Sequence, residues 1–228
     1  MPSAALPADL LKFLRELAAH NERPWFLENK ARYLQTVQAP MLAFLEAFKP
    51  RLARLSKQFV VEVRPSGGSL MRIYRDVRFS KDKSPYRTHL GASFSHRASD
   101  EMGGPGWYLH IQPGASFIAA GAYHPESASL ARLRDALVRN PSAWRRVVGE
   151  RGFRAVATLS GDRLKRPPRG FAPDHPLIED LKRKDFICVI DLSDREVTAP
   201  DFLARLTKAC AIQAPFLAFV CKALRLPF

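Results

Sequence analysis

The apolar positions open on a helical rhythm. Leu10, Leu11, Phe13, Leu14 and Leu17 fall on one face of a 3.6-residue repeat, with Asp9 placed to cap it. The stretch Asn21–Arg23 breaks that pattern, and Pro24 starts a second helix at a favoured first-turn position, with Trp25, Phe26 and Tyr33 as its large apolar residues. Met41, Leu42, Leu45, Phe48, Leu52 and Leu55 then predict a third helix over residues 38–57. The rhythm changes after that. Residues 59–63 are β-branched and read as a strand, followed by a turn at Gly67-Gly68.

Alternation continues through the middle of the chain. Strands are predicted over 90–96, 107–112 and 116–123, the last two joined at Pro113-Gly114, with a polar, glycine-rich loop at 99–106. Helices are predicted over 130–138 and 142–148, split by Asn140-Pro141, then a strand over 153–159 and a basic, proline-rich loop over 165–170. A short helix over 175–184 opened by Asp174, a strand over 186–192 and a helix over 199–224, bent at Pro215, complete the pattern. Helices come first and last, and the central strands are hairpin-linked. That order predicts an α+β fold, with a largely antiparallel sheet in the middle packed against N-terminal and C-terminal helices. No linker or repeat divides residues 1–228, so one domain is expected.

Composition changes the picture in one respect. Hydrophobic content of 46% and charged content of 25% are ordinary for a globular chain, but the net charge is +14. Such a balance favours phosphorylated metabolites, nucleic acid or an anionic surface as partners. Cys188, Cys210 and Cys221 form neither a CxxC pair nor a disulfide framework and read as buried small hydrophobes in a reducing cytoplasm. The first residues lack a charged start and a continuous apolar core, so no signal peptide is expected. The longest apolar run, over 209–221, is shorter than the roughly 20 residues that span a bilayer. A soluble cytoplasmic protein without membrane contact is the expectation.

Familiar catalytic motifs are absent. No GxxxxGK[ST], GxGxxG, GxSxG or HExxH occurs. His89, His110 and His124 lie in the strand region, but only Asp100 and Glu101 offer carboxylates nearby, so no metal site and no cofactor are expected. Pro173-Asp174 followed by Asp180-Leu181-Lys182 has the residue order of a metal-dependent nuclease motif, but its spacing is short and its second half is helical in pattern.

What stands out is the segment from Arg72 to His89. Arg72, Arg75, Arg78 and Lys81 recur at every third position, Lys83 and Arg87 follow, and only Asp76 and Asp82 oppose them. Two guanidinium groups ~6 Å apart repel by roughly 3 kcal/mol at an effective dielectric near 20. Either the two aspartates or an external anion must offset that. Interleaved Ile73, Tyr74, Val77, Phe79 and Tyr86 mark a folded segment rather than a basic tail, with Phe79 expected in the core. A helical or 3₁₀ course would put the period-three cations on one broad face, whereas a strand would split them. Arginine's rigid fork of donors suits phosphate and carboxylate oxygens.

The residues Arg72-x-x-Arg75-Asp76-x-Arg78-Phe79-Ser80-Lys81-Asp82-Lys83-Ser84-Pro85-Tyr86-Arg87 resemble the hallmark of an uncharacterised family, domain of unknown function 2461. Trp25-Phe26 with Asn29-Lys30 and Tyr33, Trp107 to Ile111, Gly121 to Pro125, and Pro168 to Phe171 with Asp174-His175-Pro176 are similar to further parts of it. The resemblance runs over about residues 10–224 and implies one soluble domain. It brings no activity and no catalytic residue.

The functional expectation is an arginine-rich site for a phosphorylated or polyanionic ligand, contacted by Arg72, Arg75, Arg78, Lys81, Lys83 and Arg87. Asp76, Asp82 and Tyr86 would give polar support. His89, His110, Asp174 and His175 are the candidate acid–base groups, and no reaction is assigned. Two competing readings stand beside it: a nucleic-acid-binding protein with further basic patches at Lys165-Arg166 and Lys182-Arg183-Lys184, and a scaffold in which the arginine–aspartate network only holds the fold.

Overall fold

Residues 5–98 and 103–228 are described by a computed structural model. Helix α1 (Ala8–Ala19) buries Leu10, Leu11, Phe13, Leu14 and Leu17, as their spacing requires. Its cap is Pro7, so Asp9 lies in the first turn, where a carboxylate still complements the helix dipole. Helix α2 (Arg23–Glu28) has Pro24 in its first turn, and α3 (Lys30–Tyr33) runs through a π-helical turn, Leu34–Gln38, into α4 (Ala39–Leu55). The third predicted helix is thus the second half of a longer helical run. The strand expected over 59–63 is not formed. That segment is extended but bridges the sheet only at Phe59, opposite His96, before Pro65 and the two glycines turn it away.

Strands β1 (Leu90–Ser95), β2 (Pro105–Ile111) and β3 (Ser116–Ala122) form a meander. Part of the loop predicted before β2, residues 99–102, lies outside the described residues. Helices α5 (Ser127–Arg139), α6 (Pro141–Gly149) and α7 (Arg151–Val156) follow, then β4 (Thr158–Ser160), α8 (Ile178–Leu181), β5 (Phe186–Leu192), α9 (Asp194–Val197) and α10 (Phe202–Ala223). The sheet order is β1-β2-β3-β5-β4, antiparallel at every junction. The fold is α+β. At Gly121 the strands β3 and β5 approach so closely that a Cβ would lie 2.0 Å from the Phe186 carbonyl oxygen, and φ is +132°.

Three further expectations are corrected. Residues 153–159 are not one strand: Glu150 accepts a hydrogen bond from the Phe153 N–H at 2.7 Å and opens α7, leaving only Thr158–Ser160 extended. The helix expected over 175–184 shrinks to Ile178–Leu181, capped at Leu177 rather than Asp174, because Pro176 keeps His175 out of helical geometry. The helix expected over 199–224 starts later, at Phe202, after the separate α9, whose capping box pairs Ser193 with Glu196. Pro215 lies inside α10, and the helix runs on past it.

Alternation sorts the sheet into two faces. Trp107, Leu109, Ile111, Ile118 and Cys188 are fully buried on the side covered by α10. Gln213 fastens α10 there, its amide donating to the carbonyls of Ile118 and Cys188 at 3.0 and 3.2 Å. By length and composition α10 is also apolar enough to cross a membrane, a length that the shorter apolar run in the sequence did not suggest. The three cysteines are buried and unbonded. The other sheet face carries Tyr108, His110 and Phe117, half-buried, among small residues such as Gly91, Ser93 and Gly106.

Candidate anion site

The basic segment is neither helix nor strand. It leaves the sheet edge, forms a loop and returns directly into β1. Tyr74 and Tyr86 pair across its neck, flanked by hydrogen bonds from the Arg75 N–H to the Pro85 carbonyl (2.9 Å) and from the Arg87 N–H to the Ile73 carbonyl (2.7 Å). Tyr86 is buried and stacks on Phe26 of α2, with ring centroids 4.1 Å apart. Asn21 grips the same residue from the α1–α2 turn. Its amide donates to the Tyr86 carbonyl at 2.9 Å and its oxygen accepts from the Tyr86 N–H at 3.0 Å. The neck is therefore rigidly seated, and Arg75 and Arg87 are held on its two arms.

Beyond the neck the loop is braced by its own polar groups. Asp82 pairs with Arg75 and accepts from the Ser84 N–H (2.9 Å) and hydroxyl (2.6 Å). Those Ser84 and Arg75 contacts hold the Asp82 carboxyl far below the usual carboxylate range. Asp76 receives both Nε and Nη2 of Arg78, at 3.0 and 2.7 Å, which lowers its pKa as well. Lys83 Nζ donates to the Val77 carbonyl at 3.0 Å. The two carboxylates are consumed by Arg75 and Arg78. Among the described residues, Arg72, Lys81, Lys83 and Arg87 have no carboxylate within 4.0 Å. Phe79, expected in the core, is 95% exposed: the loop has no apolar interior in which to bury it.

The returning arm places Arg87, His89 and Gly91 at alternate positions, and the strand register sets Gly91 opposite His110 and His110 opposite Phe117. The rings of His89, His110 and Phe117 form a column, with centroid separations of 4.2 and 4.7 Å. His110 is held from both sides: Nδ1 lies 3.3 Å from the Tyr108 hydroxyl and Nε2 lies 2.9 Å from Gln112 Oε1. Since the amide oxygen can only accept, Nε2 carries the proton and Nδ1 accepts from Tyr108. Burial, then His110, Arg87 and Arg75, push the pKa of His89 down to about 4. Burial lowers His110 too, against the opposing hydrogen bond of Gln112, and raises Tyr108. Arg87 Nε is buried without a hydrogen-bond partner.

The structure thus brings Arg75, Arg87, His89 and His110 to one end of the open sheet face. Tyr108, Gln112 and Phe117 complete the group and were not singled out from the sequence, although the period-two alternation of β2 puts Tyr108, His110 and Gln112 on one side. Arg78, Lys81 and Lys83 stand out on the loop. Asp174 and His175 belong to the segment before α8, where His175 Nδ1 accepts from the Leu177 N–H at 3.1 Å, and they make no ion pair or ring contact with the basic loop. His124 lies at the far end of β3 against Asp185. Among the described residues no group of three or more His, Cys, Asp or Glu side chains is placed to hold a metal ion. A cleft of about 690 Å³ lies elsewhere, between α4 and the extended segment, lined by Glu46, Lys49, Phe59 and Arg97 among others. It shares no residue with the basic loop. The candidate site is a solvent-facing shelf rather than a cavity.

No curated protein and no solved structure matches this chain. A family model does, over residues 9–219, which include the neck, the loop and every residue of the histidine column. The chain belongs to the conserved hypothetical protein family DUF2461.

Proposed function

We propose that the protein binds a phosphorylated or otherwise polyanionic ligand at the shelf between the loop neck and the open sheet face. One observation supports this above the rest: within a segment of sixteen residues the internal carboxylates are used up by Arg75 and Arg78, leaving four cations without a carboxylate partner among the described residues. Arg87 is the anchor of the reading. Its Nε is buried without a partner, an unsatisfied donor that costs about 1–3 kcal/mol, and a shift of the side chain onto a bound oxyanion would relieve it. Neutral His89 and His110 and the Tyr108 hydroxyl would line the site as polar groups. The purely structural reading is weaker, because the Arg78–Asp76 pair is largely exposed and the Asp82 side of the other pair faces solvent, and such pairs stabilise little.

A thermal melt tests this directly. Sulfate or phosphate should raise the midpoint more than chloride at matched ionic strength, since a ligand that binds only the native state stabilises it by mass action. An equal response to every salt would mean screening alone and would remove the proposal.

A further inference from the structure

Phe79 is the one large apolar side chain of the loop tip, and nothing in the fold requires it there. It is 95% exposed, and the guanidinium of Arg78 lies 5.9 Å from its ring centroid. The loop keeps its shape through Arg75–Asp82, Asp76–Arg78, Lys83 with the Val77 carbonyl and Asp82–Ser84, none of which involves the phenyl ring. A preformed, braced loop therefore presents a free aromatic face. Lys81 and Lys83, which have no carboxylate partner among the described residues, follow it, and Arg72 and Arg87 stand on the two arms below.

We propose that this loop is a contact for single-stranded nucleic acid, with Phe79 stacking on a base and the surrounding cations taking the adjacent phosphates. It rests on the anion-site reading for the phosphate contacts and adds the base contact. Stacking on an exposed ring is sequence-tolerant and is available only where bases are unpaired, so a single strand suits it better than a duplex. An anionic bilayer would also attract cations and a phenyl ring. Asp76 and Asp82 lie in the same loop, however, and a charged plane meets them together with the cations, whereas a strand can thread between them.

The test compares a short thymidine oligonucleotide with an abasic strand of equal length by fluorescence anisotropy. Inorganic polyphosphate and phosphatidylserine vesicles serve as further probes. The base-bearing strand should bind at least ~5-fold more tightly than the abasic strand, the smallest effect one stacked base gives. Phe79→Ala should erase that difference while leaving abasic binding unchanged, and Phe79→Trp should keep it. Because Phe79 packs on no core residue, both variants should retain the parent's melting midpoint. Equal binding of both strands overturns the stacking inference and leaves the anion site standing. Failure to bind either strand or polyphosphate overturns both readings. Vesicle binding that depends on Phe79, without oligonucleotide binding, overturns the nucleic-acid assignment.

Discussion

The imidazole of His89 lies over that of His110, ring centroids 4.2 Å apart and planes inclined by 29°. Two charged rings at that separation would repel each other, and Arg87 and Arg75 add to the same potential. The stack is therefore a contact between neutral rings.

A pH dependence follows with a definite sign. The folded-state pKa of His89 is about 4, below its ordinary value of 6.5. In that interval the unfolded chain binds a proton that the folded chain does not. Stability from this residue is fully present above the ordinary value and is lost as pH falls through that window. NMR titration of the His89 ring should give a midpoint near 4. Saturating sulfate should move it upward by offsetting Arg87 and Arg75. A midpoint near the ordinary value, unmoved by sulfate, would show that the ring is neither desolvated nor near the anion.

Asn21→Ala removes two hydrogen bonds from the Tyr86 backbone. Each is expected to be worth about 0.5–1.5 kcal/mol net. Denaturant unfolding should therefore show a loss of about 1–3 kcal/mol. Hydrogen exchange should accelerate at the amides of Arg75 and Arg87, which form the neck beside Tyr86. Exchange unchanged at those two amides would mean that Asn21 does not hold the neck.

Gly91→Ala probes the histidine column from its edge. A Cβ there would lie 2.7 Å from the Tyr108 hydroxyl and 2.9 Å from Met71 Sδ, both ends of movable side chains. The protein should fold, with Tyr108 displaced from His110. Ring ¹⁵N shifts should report a single Nε2-protonated tautomer in the parent and a mixture in the variant. An unchanged tautomer would place its control with Gln112 alone.

Asp76→Ala leaves Arg78 unpaired on an exposed part of the loop. Melting temperature should hardly change, because solvent screens such a pair. Sulfate affinity should rise, since one opposing carboxylate has gone. A large fall in melting temperature would instead favour the structural network.

Much of the architecture was legible in periodicity. The α+β class, the faces of α1 and α4, and β1, β2, β3 and β5 all follow from apolar spacing. What failed did so where local chemistry overrode it. Glu150 captured the Phe153 N–H and made a helix from a stretch whose β-branched and aromatic residues suggested a strand, and Pro176 cut the helix before α8 short. Period-three cations left a helical face and a split strand both open, and the segment takes neither course, because Asp76, Asp82 and Ser84 satisfy the backbone and side chains of a loop instead. Phe79 was misplaced because hydrophobicity alone assigns a phenyl ring to the core, and loop closure at Tyr74–Tyr86 leaves it no core to enter. The pairing of His89 with His110 depends on strand register, which no local pattern specifies.

Calorimetric titration of sulfate into the parent and into Arg87→Met reads the central claim most directly. Methionine keeps an unbranched side chain and deletes the unpartnered donor. Loss of hydrogen bonds to a charged group should weaken sulfate binding by roughly tenfold or more. The melting temperature in chloride should stay level or rise, because a buried, unsatisfied group has been removed. Equal sulfate affinity in the two proteins, or no measurable binding in the parent, would contradict an anion site built on Arg87.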